Sequence, residues 1–325
     1  MSHIGIVGAG VIGAGWTARF VLHGHDVAVF EPSDTTFDNL GPIVERAAFS
    51  YRTLGIGSPQ RGTVTRVASI IEAAAGSVHI QESVPEVLEL KQRILCEIDA
   101  AATPQATIGS STSGLRPTQL QSVLTNPGRL VVGHPFNPVY LLPLVEVVGG
   151  QQTTEAAIDV ATALYASIGM KPLRVRKEID AFIADRLLEA VWREALWLVH
   201  DGIATTGEID DAIKYGFGLR WAQMGMFETY RIAGGPAGMR HFMEQFGPAL
   251  AWPWSKLTDV PPFNDALVDL IATQSDEQSG HQSIAQMEAD RDANLVAILT
   301  ALRERNWGAG QLVPKTSDEP LTAAS

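Results

Sequence analysis

The feature that most constrains this chain is the segment HIGIVGAGVIGAG near its start. A short apolar run, residues 3–7, leads directly into Gly8-Ala9-Gly10-Val11-Ile12-Gly13, and a helical pattern follows through Trp16, Phe20 and Leu22. A strand, a glycine-rich turn and a helix in that order bind the pyrophosphate of a dinucleotide. Gly8 permits the tight turn, Gly10 lets backbone approach the phosphates, and Gly13 lets helix and strand pack closely. The helix N-terminus attracts the negative charge. A second apolar run, 26–30, ends beside Glu31, a carboxylate that can accept from a ribose 2′-hydroxyl and would repel a 2′-phosphate. Residues 31–45 hold neither Arg nor Lys, so the pattern predicts NAD over NADP.

Strand-like runs recur at 78–81, 107–110, 130–133, 144–148 and 173–175, with helical stretches between several of them, for example 85–101 and 155–168. That alternation predicts an α/β fold with a doubly wound parallel sheet covered by helices on both faces. Past residue 178 the pattern becomes mostly helical, beginning with one long stretch from Phe182 to Val199. A length of 325 residues suits two domains of ~100–200 residues each, here 1–178 and 179–325 with the boundary near Arg176–Ile179. Aromatics concentrate in the second part, where Trp192, Trp197, Trp221, Trp252, Trp254 and Trp307 lie; a helical core or a dimer interface explains them. The polar tail from Pro314 is expected to fray.

Composition narrows the function classes. A net charge of −12 argues against a general nucleic-acid binder. The single cysteine, Cys96, excludes an internal disulfide framework or a multi-cysteine zinc cluster, and no metal site is expected. No apolar run reaches membrane-spanning length and the N-terminus has no leader pattern, so a soluble, cytoplasmic chain is expected.

His134, in GHPFNP, follows the 130–133 run and so stands at a strand's carboxyl end, where doubly wound sheets place ligands. Glu146 interrupts the apolar run LVEVV. A carboxylate there is costly to bury unless paired, and a His134–Glu146 pair resolves the cost while fixing the imidazole tautomer. Ser111-Thr112-Ser113 ends another strand and offers hydroxyls. The other histidines (3, 23, 25, 79, 200, 241 and 281) lie in no comparable setting.

The order GAGVIG, ESVPE, SSTSG, HPFNP and PLVEVV resembles the 3-hydroxyacyl-CoA dehydrogenase superfamily along essentially the whole chain. The resemblance implies a Rossmann-type domain, an all-α C-terminal domain that forms a homodimer, and a catalytic His–Glu pair, matched here by His134 and Glu146. It further implies Ser113 as ligand of the substrate hydroxyl, Asn137 near the nicotinamide, and Glu86 and Lys91 at cofactor-contacting positions. In Phe182-Ile183-Ala184-Asp185-Arg186, Asp185 stands where that family has Asn. The stretches 186–199, 220–242 and 252–260 resemble a branch acting on a small 3-hydroxy acid with a trimethylammonium group. Such a cation is bound by aromatic faces with an acidic residue nearby. Asp185 with Trp192, and Trp197, Trp221, Phe227, Tyr230 and Tyr140, are the candidates for that cage. Another 3-hydroxy acid or a 3-hydroxyacyl-CoA as substrate, or a non-catalytic NAD-binding protein of the lens-crystallin sort, are the alternatives.

Overall fold

The computed structural model describes residues 3–222, 225–233, 242–244, 255–256, 264–267, 269–270, 281 and 284–314. Most of the 252–260 stretch, part of 220–242 and the tail 315–325 lie outside the described residues.

The first unit runs to Arg186 and takes back residues 292–305 and the chain from Ala309. It contains β1 (His3–Val7), α1 (Val11–Leu22), β2 (Val27–Phe30), α2 (Asp34–Asp38), α3 (Leu40–Leu54), β3 (Val64–Arg66), α4 (Ile70–Ala74), β4 (Ser77–Glu82), α5 (Leu88–Ala101), β5 (Thr107–Ser110), α6 (Pro117–Gln121), β6 (Leu130–Pro135), β7 (Leu144–Gly149), α7 (Glu155–Ser167) and β8 (Lys171–Val175). The strands form one sheet in the order β3-β2-β1-β4-β5-β6-β7-β8. Past His3, β1 is apolar because it lies between β2 and β4 with helices over both faces.

One core, holding Trp16, Phe20, Leu54 and Tyr165, lies under α1, α3 and α7. The other, holding Ile70, Leu95, Ile98 and Leu120, lies under α4, α5 and α6. The helix Ile284–Glu304 sends its second half to the first core, where Val296 and Leu299 are buried and Arg303 donates to the Leu54 carbonyl at 2.8 Å.

The sheet is parallel except that β7 runs antiparallel to β6, with β8 following β7. The connection 136–143 explains the reversal: it carries no crossover helix, and a parallel return needs about a dozen residues or more. β3 carries no apolar alternation because all three of its residues are exposed on the sheet edge. Phe182, expected in the helical stretch, lies before α8 (Ala184–His200) with a left-handed φ of +50 and no exposed surface.

The second unit, residues 187–291 with 306–308, is helical where described. Besides the rest of α8 it holds α9 (Thr206–Ala212), α10 (Gly218–Trp221) and α11 (Met226–Ala233). Thr205 and Glu208 cap α9 reciprocally: Glu208 N–H donates to the Thr205 hydroxyl at 3.3 Å, and Thr205 N–H to the Glu208 carboxylate at 2.8 Å.

Candidate active site

The glycines of the β1–α1 turn divide the work. Gly8 has φ +89, and a Cβ there would lie 2.9 Å from the Ser83 carbonyl; at Gly13 it would lie 1.9 Å from the Gly8 carbonyl. Both positions are closed by neighbouring backbone. A Cβ at Gly10 would meet nothing within 4 Å, so that position faces open space. Gly10 caps α1 without a side-chain bond to the first-turn N–H groups, and Val11 is 64% exposed while Ile12 is half-buried. The space is a groove of about 720 Å³ at the switch point between β1 and β4, lined among others by Gly10, Val11, Glu31, Ser83, Glu86 and Ser113. At its β2 end Glu31 is fixed by N–H bonds from Ala9 at 2.8 Å and Ser33 at 3.0 Å. An open glycine, an uncapped helix N-terminus and a held carboxylate fit the pyrophosphate and adenosine ribose of NAD.

Lys91 is a buried support of this groove. Its ammonium donates to Glu82 and to the Val84 carbonyl, both at 2.9 Å, and lies 3.4 Å from Glu86. Glu86 accepts from the Thr112 hydroxyl and from the N–H groups of Ser113 and Gly114 at 3.1 and 3.2 Å. Burial works to raise the pKa of Glu86, but these bonds and Lys91 outweigh it and hold the carboxyl below its ordinary range. Glu82 opens the ESVPE motif, but nothing in the sequence pairs it with Lys91 nine residues on.

The reversed strand makes the second half of the site. Antiparallel pairing sets His134 directly opposite Glu146, with 2.9 Å between His134 Nδ1 and Glu146 Oε2. Both are buried, Glu146 completely. Its other oxygen accepts from the N–H groups of Ile183 and Ala184 at 2.9 and 3.0 Å, so it also caps the N-terminus of α8. Burial pushes this carboxyl up; the bonds from His134, Ala184 and Ile183 outweigh it and keep it below the usual carboxylate range. An ionised Glu146 accepts only, which puts the imidazole proton on Nδ1 and leaves the Nε2 lone pair as a base. The rings of Phe136 and Phe182 pack on the imidazole, at 5.1 and 5.7 Å between centroids. The two N–H groups on Glu146 left no trace in the residue pattern, because backbone donors do not depend on side-chain identity.

A buried hydrogen-bond chain, also missed, lies beneath the groove. Tyr165 donates to Gln81, Gln81 to Ser111, and Ser111 meets Ser83 at 2.9 Å and the Trp16 indole at 3.1 Å. Tyr165 reaches Gln81 only because positions 109 and 133 are glycines; a Cβ there would lie 2.7 and 2.1 Å from its hydroxyl. His79 joins this chain through Gln81 and Thr107.

The remaining candidates scatter. Ser113 is exposed on the groove and Asn137 is exposed on the β6–β7 connection. Tyr140 is corrected from cage to core: it is 4% exposed, and its hydroxyl donates to Asp292. Asp185 is half-buried in the first turn of α8. In the second unit Trp197 is spoken for, with the Lys256 ammonium 4.2 Å from its ring centroid and His200 against its edge. Trp221 packs on Phe217 and Tyr230 stacks on Phe242, each at 4.6 Å. Trp192 and Phe227 are 52% and 77% exposed.

Residues 3–179 match the 3-hydroxyacyl-CoA dehydrogenase NAD-binding domain, and 182–260 match the C-terminal domain of the same family. The chain belongs to the 3-hydroxyacyl-CoA dehydrogenase family. It is an NAD-dependent dehydrogenase, with NAD as its cofactor. It is 59% identical to the L-carnitine dehydrogenase of Mesorhizobium japonicum, over 94% of this chain and 86% of that one. It is 58% identical to the L-carnitine dehydrogenase/betainyl-CoA thioesterase of Agrobacterium fabrum, over 95% of this chain, and spans 63% of that longer protein. Among solved structures it is similar to the NAD+-dependent dismutase 5-formyl-3-hydroxy-2-methylpyridine 4-carboxylic acid 5-dehydrogenase. There the TM-score is 0.79 at 26% identity, covering 93% of this chain and 99% of that one. Among the described residues no helix is long and apolar enough to cross a membrane, and no cluster of three His, Cys, Asp or Glu is placed to hold a metal.

Proposed function

We propose that this dehydrogenase oxidises L-carnitine to 3-dehydrocarnitine. The observation that carries the reading is the 59% identity to an L-carnitine dehydrogenase across nearly the full length of both chains. When bound, NAD supplies the hydride acceptor for carbon 3. His134 takes the carbon-3 hydroxyl proton on Nε2, Glu146 fixes the tautomer and stabilises the imidazolium, and Ser113 holds the reacting oxygen. In the reverse direction the imidazolium returns the proton to the developing alkoxide. Gly8, Gly10, Gly13 and Glu31 hold the cofactor, Glu86 and Lys91 shape its groove, and Asn137 stands toward the nicotinamide.

Asp185 is the proposed source of negative charge for the trimethylammonium, and Trp192, Trp221, Phe227 and Tyr230 are the rings proposed for its cage. Residues 1–178 serve as the NAD domain and 179–325 as the substrate and dimerisation domain, although 179–186, 292–305 and the chain from Ala309 pack with the first unit. Exposed apolar side chains at Leu187, Leu188, Phe227 and Ile232 support a homodimer, and the enzyme works in the cytoplasm. A panel of L-carnitine, 3-hydroxybutyryl-CoA and other 3-hydroxy acids, read by NADH absorbance, tests the substrate. Turnover confined to L-carnitine is expected; turnover of the CoA ester alone would replace this reading, and no turnover of any would favour a non-catalytic NAD-binding role.

A further inference from the structure

The adenosine end of the NAD groove has a guanidinium beside it that its neighbours in sequence do not reveal. Arg66 ends β3, and the parallel register pairs it with Val29 of β2, which delivers it to the strand end that carries Glu31. Arg66 Nη2 donates to the Glu31 backbone carbonyl at 3.1 Å and lies 2.7 Å from Asp34 Oδ1. The guanidinium carbon sits 4.7 Å from the centroid of the Phe37 ring. Glu31, Pro32 and Thr36 line the groove, so the pair flanks the place where a ribose 2′-substituent would lie. Ser33 caps α2 and holds Asp34 in its first turn.

Glu31 and Asp34 against Arg66 leave one net negative charge at this edge. A 2′-hydroxyl donates to a carboxylate there without penalty, whereas a 2′-phosphate meets repulsion from Glu31 and finds the Arg66 guanidinium already paired. Neutralising Glu31 alone removes the repulsion; neutralising Asp34 as well leaves a net positive edge with a planar donor suited to phosphate.

We propose that cofactor choice in this enzyme is set by Glu31 and Asp34 together, with Arg66 a built-in 2′-phosphate ligand that Asp34 keeps paired. The site takes a 2′-phosphorylated adenosine once Asp34 and Glu31 are neutral.

Calorimetric titration of the intact protein with 5′-AMP and with 2′,5′-ADP, which differ only in the 2′-phosphate, tests this without turnover. In the wild type 5′-AMP binds more tightly. E31Q should tighten 2′,5′-ADP about tenfold, the scale of a hydrogen-bonded charge contact. E31Q with D34N should tighten it about fivefold further, the scale of an exposed pair, and the gain should shrink in 0.5 M salt. Adding R66Q to that double variant should cancel the second gain, while 5′-AMP affinity, lowered once by the lost Glu31 contact to the 2′-hydroxyl, stays within about twofold among E31Q, the double and the triple variant. A double variant that binds 2′,5′-ADP no better than E31Q, or one indifferent to R66Q, overturns the proposal. Should the double variant lose 5′-AMP binding, D34N alone carries the test: 2′,5′-ADP must tighten about threefold with 5′-AMP unchanged, and no tightening overturns it.

Discussion

Replacing Glu146 with Gln changes one buried atom and tests whether the His134–Glu146 pair is a working unit. Glu146 Oε1 accepts two N–H groups, from Ile183 and Ala184, so the amide oxygen of Gln must take that side. Its NH2 then faces His134 Nδ1 at the former 2.9 Å and can only donate. His134 must accept on Nδ1 and carry its proton on Nε2, which is the wrong tautomer for a base. Loss of a positioned acid–base group lowers kcat by about 10²–10⁴-fold. A tautomer reversal of this kind belongs toward the upper end, as in the serine-protease Asp-to-Asn case. Loss of the charge at the α8 N-terminus should cost a further ~1 kcal/mol of stability. NADH formation gives kcat, and 15N chemical shifts of the His134 ring nitrogens report the tautomer. Wild-type kcat in Glu146→Gln, or an unchanged tautomer with a collapsed kcat, would refute the reasoning.

Other expectations follow from single observations. Gly10→Ala should fold and melt as the wild type but bind NAD about tenfold more weakly, because its Cβ enters open space. Gly13→Ala, whose Cβ would collide with the Gly8 carbonyl, should lose at least about 2 kcal/mol of stability; equal Tm values for the two variants would contradict the division of roles. Burial lowers the pKa of His79 to about 4, so between pH 6.5 and about 4 the unfolded chain takes up a proton that the folded one refuses. Stability should therefore fall with acid across that window, by ~3 kcal/mol from this residue, and His79→Gln should flatten the denaturation-versus-pH slope; an unaltered slope would count against it. Asp185→Asn should raise KM for L-carnitine about tenfold or more while kcat stays within a few-fold, since a charge felt alike in ground and transition states gives uniform binding. A change in kcat at constant KM would instead put Asp185 at the reacting oxygen.

The candidate cofactor groove was legible in the residues because it rests on local chain geometry. Gly8, Gly13 and Glu31 fall within one strand–helix–strand segment, and sequence spacing determines where they meet. His134 and Glu146 could be paired on chemical grounds, since a carboxylate inside LVEVV needs a partner. Their meeting across antiparallel strands was not legible, because it depends on how the 136–143 connection turns. Arg66 escaped for a related reason: an exposed edge strand of three residues has no apolar pattern, and its neighbour in space is fixed by strand order. Lys91 matched a cofactor-contacting position, yet its ammonium is committed to Glu82 and the Val84 carbonyl. Tyr140 looked available as a cage ring because nothing in its neighbourhood announced Asp292, far along the chain on the last helix.

Turnover of L-carnitine deuterated at carbon 3, with NAD and the wild-type protein, tests the central claim most directly. The account predicts one deuterium delivered to the reduced cofactor for each carnitine consumed, together with one proton released to solvent. It also predicts that His134→Ala abolishes nearly all of that transfer while NAD binding persists. Undeuterated NADH, or deuterium transfer that survives at wild-type rate in His134→Ala, would contradict it.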